Sequence, residues 1–253
     1  MIKLGEYNNL RVVKEVDFGI YLDGHEMGEI LMPKQYVPEE TRPGNELDVF
    51  LYCDSEDRII ATTLKPKATV GQFACLQVND VNKTGAFLDW GLPKDLFVAF
   101  AEQEREMKIG KTYVVYLYLS DNNTRIAASS KLEKYLEPSP VDYNPGEKVE
   151  LMLVRQTDLG YQALINASHW GMVFQNEIFT QVAEGQAITG YIKQVRDDGK
   201  IDLCLQKPGY DVPHNLLDNI INYLTKNGGS INITDKNNPQ IIYRLFGVSK
   251  KKY

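Results

Sequence analysis

Residues Asn82–Trp90 read NKTGAFLDW. A polar turn closed by Gly85 runs into an alternating segment in which an aromatic stands two places and an Asp four places after the glycine, the pattern of a hairpin turn entering a half-buried strand. Nearly the same text occurs at DFGIYLD, where Gly19 precedes Tyr21 and Asp23, and an imperfect copy occurs at DLGYQALI around Gly160. A second glycine follows each first one by the same 25 residues: Gly44 in RPGNELDVFLY, Gly110 in KIGKTYVVYLY and Gly185 in AEGQAITGYI. Each second glycine opens an alternating strand, then an Asp- or Asn-rich turn (CDSEDR, LSDNNTR, VRDDGK) and a last strand (RIIATTLK, RIAASSKL, KIDLCLQK). Upstream of each first glycine lies one more strand: LRVVKEV, FACLQVNDV and VELMLVRQT.

Internal repetition at this scale decides the architecture. Five short strands in roughly 65 residues, with little room for a long helix, have the size and strand count of a small Greek-key barrel of the OB type. The expected fold is mainly β: three tandem five-stranded barrels over residues 1–67, 68–137 and 138–208, then a different segment over 209–253. The Pro-rich stretch EPSPVDYNP between the second and third repeats reads as a spacer.

Alternation assigns the faces. In GAFLD, Ala86 and Leu88 share one face and Phe87 and Asp89 the other; in RIAAS, Ile126 and Ala128 are core positions and Arg125 points away. Phe87 and Arg125 are therefore expected on one outer surface, with Tyr21 and Arg58 as the matching pair of the first repeat. An outward aromatic beside an outward Arg suits single-stranded nucleic acid, the ring taking a base and the guanidinium a phosphate. The competing reading, an aromatic that covers an apolar patch or the neighbouring repeat, stays even with binding for Tyr21 and Arg58.

In strand 2 (Gly-x-aromatic), in the Pro-Gly, Ile-Gly and Glu-Gly signals before strand 4, and in the Arg-Ile opening of the last strand, the repeats resemble the S-one type RNA-binding domain. That resemblance implies RNA contacts from aromatics on strands 2 and 3 and a basic residue on strand 5, here Phe87 with Phe97, and Arg125. The repeats lack the His often found in strand 3 of that motif. The third places Tyr161 directly after Gly160, which by alternation turns the ring inward and leaves Gln162 outside; it carries Lys200 in place of Arg, and Phe174 is its candidate aromatic.

The last 45 or so residues change character. NLLDNIINYLTKNGG places Leu216, Leu217, Ile220, Ile221 and Leu224 at helical spacing with Gly228 and Gly229 as a stop. A short strand, SINIT, follows, then NPQIIYRLFG, where Asn238 caps a second helix, Pro239 fits its first turn and Gly247 ends it. This is the opening half of a winged helix. The order of three S-one type units and a winged helix resembles the bacterial conserved virulence factor B family essentially end to end, which implies post-transcriptional control of gene expression, virulence genes included. The tail SKKKY falls where a third helix should begin, so the winged helix is expected to be incomplete here, without that helix and the wing hairpin. The alternative is a basic tail, since three lysines in a first helical turn oppose the helix dipole. Arg244, Lys250, Lys251 and Lys252 are the candidate RNA contacts of this region.

The formal net charge is −6, which gives no general attraction to phosphate. The imbalance is uneven: Lys plus Arg against Asp plus Glu stand at 8 to 13 in residues 1–67, 8 to 9 in 68–137, 6 to 9 in 138–208 and 6 to 3 in 209–253. The acidic first repeat therefore fits a basic protein partner, which makes an interaction adaptor the competing reading, and a complete winged helix would take DNA. No catalytic set is legible: there is no phosphate-cradling glycine loop, and the histidines (His25, His169, His214) and cysteines (Cys53, Cys75, Cys204) are too scattered for a metal or a nucleophile. The expectation is no cofactor, no metal, buried thiols, no membrane segment and a cytoplasmic location.

Overall fold

The computed structural model describes residues 2–120, 125–138, 142–178, 180–207, 216–226, 228–229, 233 and 241–242. Fifteen strands form three closed barrels. The first holds β1 (Tyr7–Val16), β2 (Gly19–Asp23), β3 (Glu29–Pro33), β4 (Glu46–Cys53) and β5 (Ile59–Thr62). The second holds β6 (Phe73–Val81), β7 (Gly85–Asp89), β8 (Leu96–Ala99), β9 (Thr112–Leu119) and β10 (Ile126–Ser129). The third holds β11 (Lys148–Thr157), β12 (Gly160–Ile165), β13 (His169–Phe174), β14 (Ala187–Val195) and β15 (Ile201–Cys204). Each closes in the order first, second, third, fifth, fourth strand, antiparallel except for the parallel pairing of third with fifth. A single 3₁₀ turn follows the third strand each time, at Lys34–Tyr36, Phe100–Glu102 and Gln175–Glu177. An α-helix, α1 (Leu216–Lys226), follows the barrels; Gly229 N–H closes on the Leu224 carbonyl at 2.8 Å.

The repeated glycines have distinct jobs. At Gly19, Gly85 and Gly160 a Cβ would collide with a backbone carbonyl oxygen of the third strand, that of Met32, Val98 and Val173 respectively. These positions admit only glycine because two backbones touch there. Gly44, Gly110 and Gly185 have positive φ (95°, 76° and 80°) and donate their N–H to Val12, Val78 and Leu153 at 2.8, 2.8 and 2.6 Å. Those acceptors begin the register shifts of β1, β6 and β11. The 25-residue spacing thus measures one path, from the second strand's first residue to the bulge of the first strand.

Two compact units result, Met1–Tyr135 and Leu136–Tyr253. In the first unit two barrels share a core. Val49, Leu51 and Cys53 point into the first barrel, while Phe50 and Tyr52, on the other face of β4, are buried with Trp90 of the second barrel. Trp90 meets Phe50 and Tyr52 edge-on at 5.8 and 6.5 Å, and its indole N–H donates to the Lys94 carbonyl at 2.7 Å. Ile126 packs against the clusters of both barrels. The third barrel has its own core around Leu151, Leu153, Ile192 and Leu203. Among the described residues no helix is long and apolar enough to cross a membrane.

The second winged-helix segment lies largely outside the described residues, which include its helical Ile241 and Ile242 but not Asn238, Pro239 or Gly247. One expectation is corrected: Cys53 and Cys204 are buried but Cys75, facing outward from β6, is only partly so.

Gly85→Ala should cost more than about 2 kcal/mol because backbone must move, whereas Gly110→Ala, in open space, should cost only the left-handed penalty of about 1–2 kcal/mol; urea unfolding midpoints of the two variants check the order.

Candidate nucleic-acid interface

The site grows from the register of the second barrel. Phe87 pairs with Phe97, Phe97 with Ala127, and Ala127 with Tyr118, so these four residues form one row across β7, β8, β10 and β9. Directly opposed residues point to the same face, and their neighbours Ala86, Leu88, Leu96, Val98, Leu117 and Ala128 fill the core. The row is therefore the outer surface. Phe87 and Phe97 tilt together at 5.3 Å between centroids. Arg125, just before β10, is 66% exposed in its side chain. All five residues line one groove of about 410 Å³, so the structure brings Phe87, Phe97 and Arg125 together. Tyr118 escaped the sequence reading, although alternation in TYVVYLYL already sets it opposite Leu117.

The groove also contains residues of the first barrel, Cys53 and Asp57. Asp57 sits in the β4–β5 turn with φ of 59°. Its carboxylate accepts from Lys94 Nζ at 3.0 Å and from the Arg125 guanidinium, and Lys94 also donates to the Asp54 carbonyl at 2.6 Å. The Lys94 hydrogen bond, then the charges of Lys94 and Arg125, hold the Asp57 carboxyl below its usual range. Both cations of the groove thus face a carboxylate lent by the neighbouring barrel, an arrangement that weakens their pull on phosphate. Burial pushes the Cys53 thiol up and the Cys204 thiol up to about 11, the opposite of an activated nucleophile.

The same row in the first barrel is Tyr21, Leu31, Ile60 and Tyr52. Its last two members are buried with Trp90, and burial raises the Tyr52 phenol. Arg58 forks onto Asp54 at 2.9 and 2.7 Å and pairs with Glu56 at 3.0 Å, while Tyr21 carries the Lys14 ammonium 4.7 Å over its ring. The two candidates are engaged separately.

In the third barrel the row is Gln162, Met172, Asp202 and Gln194. As alternation required, Tyr161 is buried and Gln162 is outside. Asp202, buried, accepts from Gln194 at 2.7 Å and pairs with Arg196 at 2.8 Å. Phe174 does face outward, but it lies under the Arg196 guanidinium at 5.4 Å and opposite Gly160, away from the groove of about 400 Å³ that holds Lys200. That groove's aromatic is Trp170, four residues earlier on the same face, whose buried indole N–H meets no acceptor among the described residues. Lys200 is tied to Asp198 at 2.8 Å. β13 does open on a histidine, His169, but it is buried and spent on Tyr143 at 3.2 Å. Arg244, Lys250, Lys251 and Lys252 lie outside the described residues. Among the described residues no three His, Cys, Asp or Glu side chains gather as a metal site.

A model of the S1 domain matches residues 4–64 and 70–131, the first two barrels, and a model of the CvfB-like winged helix domain matches residues 218–253. The chain thus carries S1 domains together with a CvfB-like winged helix domain, and conserved virulence factor B is among its curated relatives. Among curated relatives, the uncharacterized protein YitL of Bacillus subtilis is 24% identical over 98% of this chain and 86% of its own length. Conserved virulence factor B of Staphylococcus aureus is 23% identical over 85% and 74%. A crystal structure of a multidomain protein with nucleic acid binding domains from Streptococcus pneumoniae is 22% identical and covers 98% of this chain and 90% of that one, with a TM-score of 0.47. S1 and winged-helix domains are nucleic-acid-binding modules, not known enzyme families, and these domains with the similarity to conserved virulence factor B support a nucleic-acid-binding regulator.

Replacing Asp57 with Asn should tighten nucleic-acid binding and steepen its salt dependence, by about 0.7 in the log–log slope for each cation that engages a single strand, with the unfolding midpoint nearly unchanged; a salt series of binding curves reads the first two and a urea unfolding curve the third.

Proposed function

We propose that this chain is a non-catalytic regulator that binds single-stranded RNA on the outer row of its second barrel and acts post-transcriptionally in the cytoplasm, with virulence genes among its targets. The observation that carries the reading is the convergence of Phe87, Phe97 and Arg125 on one groove. Two rings with accessible faces suit unpaired bases, which a duplex keeps stacked on one another, and the adjacent guanidinium suits the backbone between them. The near-balance of 8 basic against 9 acidic residues in 68–137 and the carboxylate on Arg125 point to modest, salt-sensitive affinity with little base preference. The virulence component rests on the name of the Staphylococcus aureus relative.

A second reading is favoured by the first barrel. Its row is closed by Trp90 and it carries 13 acidic against 8 basic residues, which fits docking of a basic protein better than stacking of bases. A basic partner that co-purifies after RNase treatment would support that adaptor role.

The test is fluorescence anisotropy with a labelled single-stranded RNA of about 16 nucleotides beside matched duplex DNA. The single strand should be preferred, and Phe87→Ala with Arg125→Ala should weaken binding at least about tenfold. Unchanged affinity in the double variant would overturn the assignment.

A further inference from the structure

From the outer row of the second barrel we infer a slot for one unpaired nucleobase, with Phe97 and Tyr118 as its walls and Ala127 as its floor; the inference rests on the RNA reading of that barrel and adds two positions to it. Phe97 and Tyr118 flank Ala127 in register, one strand away on either side. Neighbouring strands lie about 4.8 Å apart, so the two walls rise from backbones roughly 9.6 Å apart. A flat ring in contact on both faces needs about 7 Å, two contacts of about 3.5 Å. The floor is a methyl group, partly exposed and lining the groove. Tyr118 is backed by Tyr135, stacked at 5.9 Å, and Tyr135 in turn lies on Tyr116 at 4.0 Å and nearly parallel. A wall braced in this way loses little freedom when a base arrives.

The other barrels show what the slot depends on. The floor position is Ile60 in the first barrel, buried with Tyr52 beneath Trp90. In the third it is Asp202, bonded to Gln194 and Arg196, and the wall corresponding to Tyr118 is Gln194. Neither offers two rings over a small residue. Arg125, two residues before the floor, is placed to take a phosphate next to the bound base.

The experiment uses the whole chain and the same 16-nucleotide RNA, now with 2-aminopurine at internal positions. Ala127→Leu, which fills the slot, and Tyr118→Ala, which removes a wall, should each weaken binding by about 5- to 100-fold, the equivalent of one lost stack. Each should reduce the 2-aminopurine quenching and leave the salt slope unaltered. Tyr118→Phe keeps the ring and should restore affinity, which separates stacking from damage to the fold. Retained affinity and quenching in Ala127→Leu and Tyr118→Ala, while Phe87→Ala still weakens binding, would overturn the slot and leave the RNA reading intact. Absence of RNA binding by the unaltered chain would overturn both.

Discussion

Each barrel turns on a point where two backbones touch. Gly19, Gly85 and Gly160 lie against a carbonyl oxygen of the facing strand, where no side chain has room. That contact sets the pairing of the second and third strands, and a slip of one residue there would exchange the inner and outer faces. With the register held, Phe87 stands opposite Phe97 and their flanking neighbours fill the core. The 25-residue step to the second glycine holds the other end, at the bulge of the first strand. Folding constraint and candidate surface are therefore written in the same few residues.

One topology yields three different outer faces. The first barrel gives up its fourth- and fifth-strand face to an aromatic contact with the second, so that Tyr52 and Ile60 become core. The third spends the equivalent face on an Asp202 network with Gln194 and Arg196. The second keeps aromatics on both sides of a small residue. A protein of net charge −6 can hold nucleic acid in this way, because stacking needs no excess of positive charge and the cations that matter are few and local. The first barrel also reaches this face of the second, where Asp57 accepts from both Lys94 and Arg125.

Strand alternation and repeat length were enough to read the barrels, the outward Phe87 and Arg125, and the reversal of Tyr161 and Gln162, because all of these depend on period and spacing within one repeat. What escaped depends on closure and on contacts between repeats. Tyr118 meets the Phe87 row only once β10 is inserted between β8 and β9. Asp57 and Arg125 are 68 residues apart, and nothing local in CDSEDR marks the turn as facing another barrel. Trp90, quoted in the opening stretch, reads as an ordinary strand end until it is seen buried on Phe50 and Tyr52. Trp170 was within reach, since it shares a face with Met172 and Phe174, but an aromatic at the start of a strand carries no sign of which ring the groove will hold.

The claim that the second barrel alone presents an open aromatic row is tested most directly by photocrosslinking the whole chain to single-stranded RNA containing 4-thiouridine and mapping the linked peptides by mass spectrometry. Crosslinks should concentrate on the peptides bearing Phe87, Phe97 and Tyr118 and spare those bearing Tyr21 and Tyr52. Crosslinks centred on the first barrel, or confined to the third, would contradict the account.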